Sequence, residues 1–272
     1  MRKEWQMSRR GDSRPRGGRG GDSRNGEWLY GRRPVLEVLR AGRRSFYDLC
    51  ISESAREACS DEELAEIRTL ASHYGVRVRT VDRKSLNDQL GPVNHQGVAI
   101  SVSSYPYKCM EELMAEVEDD PEAVVLILDH IEDPQNVGSL LRTADAAGVK
   151  GVIIPEDRSA GVTPAAVRAS AGAAEHLCVV KVVNIVRAIE ALKEQEVWVT
   201  GLDFGDDAKD YADIDYKGRC GLVVGNEGRG ISRLVREKCD FIAMLPMVGA
   251  VSSLNASVAG ALVMYEALRQ KR

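Results

Sequence analysis

The chain has 272 residues, 44% hydrophobic and 5% aromatic, with a formal net charge of −4. That length suits one large domain or two modest ones, each able to bury a core. No apolar run approaches the roughly 18–20 residues of a membrane span, and the N-terminus lacks a signal-peptide apolar region, so a cytoplasmic protein without membrane contact is expected.

The charge is uneven along the chain. Residues 1–44 carry 13 Lys/Arg against 5 Asp/Glu, a net of +8, and the remainder 24 against 36, a net of −12. A basic arm on an acidic body points to a nucleic-acid partner. Residues 1–26 are rich in Gly, Arg and Ser and nearly devoid of apolar side chains, so they are expected to form a disordered tail, either drawn to RNA phosphates or a solvated arm without a partner.

From Glu27 the signals alternate. "PVLEVLRAG" reads as a helix, with Pro34 in its first turn and Gly42 at its stop. "FYDLCIS" reads as a strand, and "SDEELAEIRTLASHYG" as a helix opened by Ser60 and closed by Gly75. "VRVRTV", "DRKSLNDQLG" and "GVAISVSS" follow as strand, short helix and strand. Residues 27–105 therefore make a small α/β domain.

Residues 106–121, a short helix with an acidic end, read as a linker. Beyond it lie six apolar runs, at 123–129, 151–155, 177–182, 197–203, 220–225 and 241–246, most of them separated by helical stretches. "NASVAGALVMYEALRQ" closes the chain as a helix. Short apolar strands between helices indicate a parallel sheet covered on both faces, with its ligand crevice beyond the carboxyl ends of the strands. The six cysteines (50, 59, 109, 178, 220 and 239) form no Cys-x-x-Cys pair and the four histidines are dispersed, so neither a metal nor a disulfide framework is expected.

Three strand-to-helix segments carry chemistry. In "LDHIEDPQNVGSLLRTADAAGV" (128–149), Asp133 and Pro134 open a helix, and Asn136 and Arg142 flank Gly138. In "LVVGNEGRG" (222–230), Gly225, Gly228 and Gly230 surround Glu227. The order G-x-x-G-x-G is the reverse of the dinucleotide fingerprint, which excludes a nicotinamide dehydrogenase, and a carboxylate is a poor neighbour for a phosphate. In "LPMVGAVSSLNASVAGALVMYEA" (245–267), Ser252, Ser253 and Asn255 stand at the entrance of an Ala/Gly-rich helix, where Ser253 or Asn255 is a candidate N-cap and the small residues permit close packing.

In this order and spacing the three segments resemble the motifs of the SpoU/TrmH family of RNA ribose 2'-O-methyltransferases, in the knotted SPOUT class. The likeness runs from about residue 123 to 270. Residues 29–104, with "YGRRPVLEVLRAG" and "NHQGVAI", look like the ribosomal-protein-like substrate-binding domain of the RlmB branch, whose target is a guanosine in the peptidyl-transferase region of 23S ribosomal RNA. A SpoU-type enzyme acting on tRNA or on another rRNA nucleotide shares the same motifs. A non-catalytic RNA-binding assembly factor is the reading from a different class.

The resemblance implies a methyltransferase domain over 122–272 that binds S-adenosylmethionine in a C-terminal trefoil knot, through Gly225, Leu245 and Leu254. The glycines of the second motif would then permit close approach of the cofactor. The resemblance puts Asn136, Arg142, Glu227, Ser253 and Asn255 around the reacting centre. Arg142 is the family's proposed general base. A guanidinium is effectively always protonated, however, and as a cation Arg142 suits phosphate binding or charge stabilisation. The resemblance also implies a homodimer, with ribosomal RNA or a ribosome precursor as partner. The basic segment 32–44, with Arg32 and Arg33 at its head, would present its charge to that RNA.

Overall fold

The computed structural model describes residues 26–56, 62–250 and 253–272. The expected tail apart from Gly26, the helix-opening Ser60, Cys59 and Ser252 lie outside these residues. The N-terminal unit is built on four strands, β1 (Glu27–Tyr30), β2 (Phe46–Ser52), β3 (Arg77–Val81) and β4 (Val98–Val102), in the order β1-β4-β2-β3. Strand β1 is too short for its sequence to show a period. Pairing with β4 along its whole length makes it a strand.

Helices α1 (Arg32–Ala41), α2 (Glu53–Arg56), α3 (Glu62–His73) and α4 (Arg83–Leu90) accompany the sheet. Val35, Leu36, Val38 and Leu39 of α1 are fully buried, and Gly42, at φ 62°, ends the helix by donating its N–H to Val38 O. The "NHQG" loop before β4 folds around His95, which is buried. Its Nδ1 accepts the Gly97 N–H (2.9 Å), which leaves Nε2–H to donate to Asn87 Oδ1 (3.1 Å). Burial holds the imidazole below its usual pKa, so it stays neutral. The turn places Gln96 Oε1 on the first N–H of α1, at Arg32 (3.1 Å).

The second unit contains α5 (Met110–Glu118), β5 (Val124–Asp129), α6 (Pro134–Ala146), β6 (Gly151–Pro155), α7 (Pro164–Ala169), β7 (Cys178–Val182), α8 (Ile185–Glu194), β8 (Trp198–Leu202), β9 (Lys209–Asp210), β10 (Cys220–Gly225), α9 (Arg233–Arg236), β11 (Phe241–Met244) and α10 (Ala256–Gln270). Its strand order is β7-β6-β5-β10-β8-β11-β9, with parallel pairing throughout. Because strand side chains alternate, each strand supplies two cores. Val124, Leu126 and Leu128 join the cluster that holds α6 and α10, while Val125 and Ile127 join the one that holds α5 and α8.

Residues 106–121 are not a free tether. Lys108 N–H donates to Val179 O (2.9 Å), and Leu113 and Val117, one helical turn apart on α5, are fully buried in the same cluster as β5. The acidic composition of the segment marks only its outer face. Burial also pushes the thiols of Cys178 and Cys220 up to about 11 and that of Cys239 up to about 12.

One continuous apolar cluster runs through both units, from Leu29 and Val35 to Val167 and Ala174. At its rim Arg44 and Glu175, whose side chains are both 0% exposed, form a two-pronged pair (Nη2–Oε1 2.6 Å, Nε–Oε2 3.0 Å). Arg44 Nη1 adds Glu27 Oε2 and Ser103 O. Arg43 donates to the carbonyls of Glu175, Leu177 and Pro106, and Tyr105 donates its hydroxyl to Ala174 O (2.7 Å). Segment 32–44 therefore spends much of its charge inside the protein. Arg40 pairs with Glu37 and Glu66, and Arg33 with Glu37 and Glu63. Only part of the expected RNA-facing charge is available at the surface.

Replacing Glu175 with Ala takes away both prongs of the buried pair and leaves the Arg44 guanidinium only the partly exposed Glu27 as a counter-ion. Urea unfolding should show a loss of about 3–5 kcal/mol; a loss below 1 kcal/mol would mean that water reaches Arg44.

Candidate active site

Three parallel strands, β5, β10 and β11, deliver the three motifs to one end of the sheet. Strand β10 lies between β5 and β8, and β8 is paired in turn with β11. The loops after β5, β10 and β11 therefore converge at the carboxyl ends of these strands, as expected for an open α/β sheet.

The first loop is held by Asp129, which is 1% exposed and accepts the Ser232 N–H (2.6 Å) and contacts His130 Nδ1 (2.5 Å). Asp133 then N-caps α6 by accepting the Gln135 N–H, with Pro134 in the first turn. This places Asn136 on the flank of α6 that leads to α10. Gly138, on another flank, is needed for packing. A Cβ there would lie 2.4 Å from Ala169 Cβ and 2.5 Å from Ala166 O, on α7.

The second loop closes on itself. Asn226 and Gly230 exchange both backbone hydrogen bonds (3.1 and 2.8 Å), and Asn226 braces the turn through His130 O and the Gly228 N–H. A Cβ on Gly225 would lie 2.3–2.5 Å from the backbone of Gly230 and Ile231. The loop's own return requires a glycine there. Gly230, at φ 66°, takes a left-handed conformation.

The third loop ends at Asn255, whose Oδ1 accepts the N–H groups of Ser257 (2.9 Å) and Val258 (3.3 Å) and so caps α10. Helix α10 then packs tightly on its neighbours, since a Cβ on Gly260 would lie 2.5 Å from Leu140 Cδ2.

Glu227 joins the three loops. Its Oε1 accepts from Asn136 Nδ2 (2.8 Å), Asn255 Nδ2 (2.5 Å) and the Ala256 N–H (3.2 Å), and Asn255 Nδ2 also reaches Asn136 Oδ1 (2.9 Å). The carboxylate thus sits at the N-terminus of α10, where the helix dipole favours negative charge. Among the described residues Glu227 Oε2 has no partner and is a free acceptor.

Glu227 separates two cavities. One, of about 620 Å³, is lined by Gly225, Leu245, Leu254 and Ser253 together with Phe204 and Met247. The other, of about 260 Å³, is lined by Asn136, Asp133 and Ile131. Arg142 stands apart: it lies six residues beyond Asn136 on α6, which is about 9 Å along the axis and on a different flank. It is exposed and makes no hydrogen bond or ion pair among the described residues. Arg32 and Arg33 lie in the N-terminal unit, Arg33 being 54% exposed in its two ion pairs.

Sequence reasoning misses the wall supplied by β8. Asp203 and Phe204 line the larger cavity, and Asp203 is fixed by Arg236 (3.3 Å), which also binds Asp207 and holds that carboxyl below its usual range. The available signal is the apolar strand that ends in Leu-Asp, shared by β5 and β8.

Comparison with known proteins agrees with this architecture. Residues 123–265 match the SpoU rRNA methylase family, and residues 28–108 match the substrate-binding domain of RNA 2'-O ribose methyltransferases. The TrmH family tRNA/rRNA methyltransferase YacO of Bacillus subtilis is 40% identical over 250 residues, covering 92% of this chain and 98% of its own. The SpoU methyltransferase AviRb from Streptomyces viridochromogenes, in complex with AdoMet, superposes with a TM-score of 0.73 at 26% identity over 93% of this chain and 94% of its own. A structure described for 2-OH methylation of C/U34 on tRNA covers 56% of this chain and 97% of its own, at 28% identity and a TM-score of 0.50. The fold is the α/β-knot of the SPOUT methyltransferases, preceded by a substrate-binding domain. The chain belongs to the SpoU/TrmH family of RNA methyltransferases.

Replacing Gly225 with Ala forces the 226–230 loop open. The variant should lose about 1–3 kcal/mol in urea unfolding and protection of the Gly230 amide from hydrogen exchange; unchanged protection would show that the loop yields without opening.

Proposed function

We propose that the protein transfers the methyl group of S-adenosylmethionine to the ribose 2'-hydroxyl of a guanosine in the peptidyl-transferase region of 23S ribosomal RNA, acting as a homodimer in the cytoplasm. The observation that carries this reading is the Asn136–Glu227–Asn255 cluster, whose Glu227 lines both a cofactor-sized cavity and a smaller cleft. The family match to ribosomal RNA methylases and to a 2'-O ribose substrate domain supports the substrate and the atom modified.

The larger cavity fits the cofactor. Cavities of roughly 300–1,000 Å³ hold ligands of this size. Leu245, Leu254, Met247 and Phe204 offer apolar walls for an adenine ring and methylene groups, while Asp203 and Glu227 bring to the same lining carboxylates of the charge that would suit a sulfonium. When bound, the cofactor supplies an electrophilic methyl group. The chain's part is alignment and desolvation. Glu227, restrained by three N–H donors on one oxygen, offers Oε2 to orient the target hydroxyl. Asn136 and Asn255 hold that carboxylate in place, and Ser253 adds a hydroxyl at the cavity wall. Arg142, exposed and unpaired among the described residues, is assigned to a phosphate beside the target ribose, which a guanidinium binds with two parallel bonds.

The dimer is assigned to α10. Val258, Leu262 and Tyr265 are 47%, 42% and 51% exposed and form one stripe at helical spacing, on the face opposite Gly260 and Met264. Leu262→Glu should halve the mass measured by light scattering. A wild-type chain that is monomeric at micromolar concentration would remove the dimer.

Mass-spectrometric mapping of 2'-O-methylation, in cells with and without the protein, should show one guanosine of 23S RNA losing its methyl. Asn136→Ala should lower kcat on that RNA by about 10²-fold, the order of loss from misplacing a reacting group. A methyl lost from tRNA alone would favour the tRNA reading, which the YacO name and the C/U34 structure keep in view.

A further inference from the structure

The catalytic unit carries an arginine that neither the motifs nor the cavities involve. Arg168, on α7, is half-buried, yet its guanidinium makes no hydrogen bond or ion pair among the described residues. Other arginines without a partner among the described residues, such as Arg142, Arg187 and Arg229, are exposed, whereas Arg168 is partly withdrawn from water. The neighbouring Arg33, Arg40 and Arg44 all have carboxylate partners. A cation partly withdrawn from water and left unpaired is costly, and an arriving anion removes that cost.

Its surroundings make the anion's identity specific. Arg168 lies across the seam between the two units, against Gly31 at the head of α1. A Cβ on Gly31 would be 3.1 Å from Arg168 Nε and 3.4 Å from its Cζ, so the guanidinium lies in close contact with the backbone there, and the φ of 95° favours glycine at this position. Arg32 and Arg33 follow immediately on α1, and no acidic residue lies in that first turn. On the other side Ala169, the next residue of α7, is the contact of Gly138 on α6. Arg142 lies one helical turn beyond Gly138, on that same flank of α6. Four arginines thus follow one another across α6, α7 and α1, and the two in the catalytic unit have no carboxylate partner among the described residues. Spaced cations on a continuous face match a polyanion with regularly spaced charges, and guanidinium groups match phosphate geometry.

We infer that Arg168 binds a backbone phosphate of the RNA substrate and continues the basic head of α1 across the seam towards Arg142. The inference rests on the RNA methyltransferase assignment and adds a contact made by the catalytic unit outside its cofactor cavity. Phosphate contacts of this kind set the register of the substrate without reading its sequence.

The test measures binding of the full-length chain to a 23S RNA transcript and to tRNA over a range of salt concentrations. Arg168→Gln should weaken binding to the preferred RNA about 5- to 10-fold near 0.1 M salt. It should also reduce the slope of log K against log salt by about 0.7–0.9, the loss of one phosphate contact. Arg168→Lys should retain most of the slope, and both variants should keep wild-type cofactor affinity and melting temperature. An unchanged slope for Arg168→Gln overturns the inference. So does a weaker affinity accompanied by a lower melting temperature with the slope intact, because that result assigns Arg168 to packing against Gly31. If the wild-type chain prefers tRNA, the ribosomal target falls while the slope still decides the role of Arg168.

Discussion

Arg44 and Glu175 meet with both side chains closed off from water, and much of the molecule's arrangement follows from keeping them together. A buried guanidinium without its carboxylate costs several kcal/mol, so the seam between the two units cannot open freely. Glu175 lies just beyond α7, α7 presses on Gly138 of α6, and α6 begins with the turn that carries Asn136. A pair at the seam is therefore linked, through the close packing of α7 on α6, to the first polar residue of the site. The substrate-binding domain is fixed on the catalytic unit, and this holds α1 at a set position relative to the cavities.

The site itself depends on where β10 is inserted. In chain order β10 follows β8, yet in space it separates β5 from β8. That placement sets the second motif between the first and the third, and lets one carboxylate oxygen collect donors from α6, from α10 and from the side chain that caps α10. Glu227 is unsuited to a phosphate cradle and well suited to this position, at the positive end of a helix and among N–H donors. Gly225 and Gly230 serve the closure of the loop, and the cavity wall that results combines apolar side chains with two carboxylates and Arg229.

Charge is distributed by the same economy. Arginines close to the seam are consumed by carbonyls and carboxylates, as Arg43 and Arg44 are, so a basic segment in the sequence is not the same as a basic surface. The cations that remain unpaired among the described residues include two on the catalytic unit, Arg142 and Arg168, within a body that is otherwise acidic.

The order of helices and strands, the parallel sheet and the three motif segments are legible in the sequence because each depends on residues a few positions apart. Periodic burial, N-caps at Asp133 and Asn255 and the stop at Gly42 are local effects. The four-residue β1, the two-residue β9 and the packed state of residues 106–121 are not legible, because neighbouring strands and helices impose them. The same holds for the contacts that matter most. Asn136 and Glu227 are 91 residues apart, Asn136 and Asn255 are 119 apart, and Arg44 and Glu175 are 131 apart. The sequence alone determined which residue types stood at the ends of the strands. Only the tertiary structure decided that Asn136, Glu227 and Asn255 would touch, that Arg142 would stand apart, and that Arg168 would face α1 unpaired among the described residues, since no short-range pattern encodes which distant loops a sheet brings together.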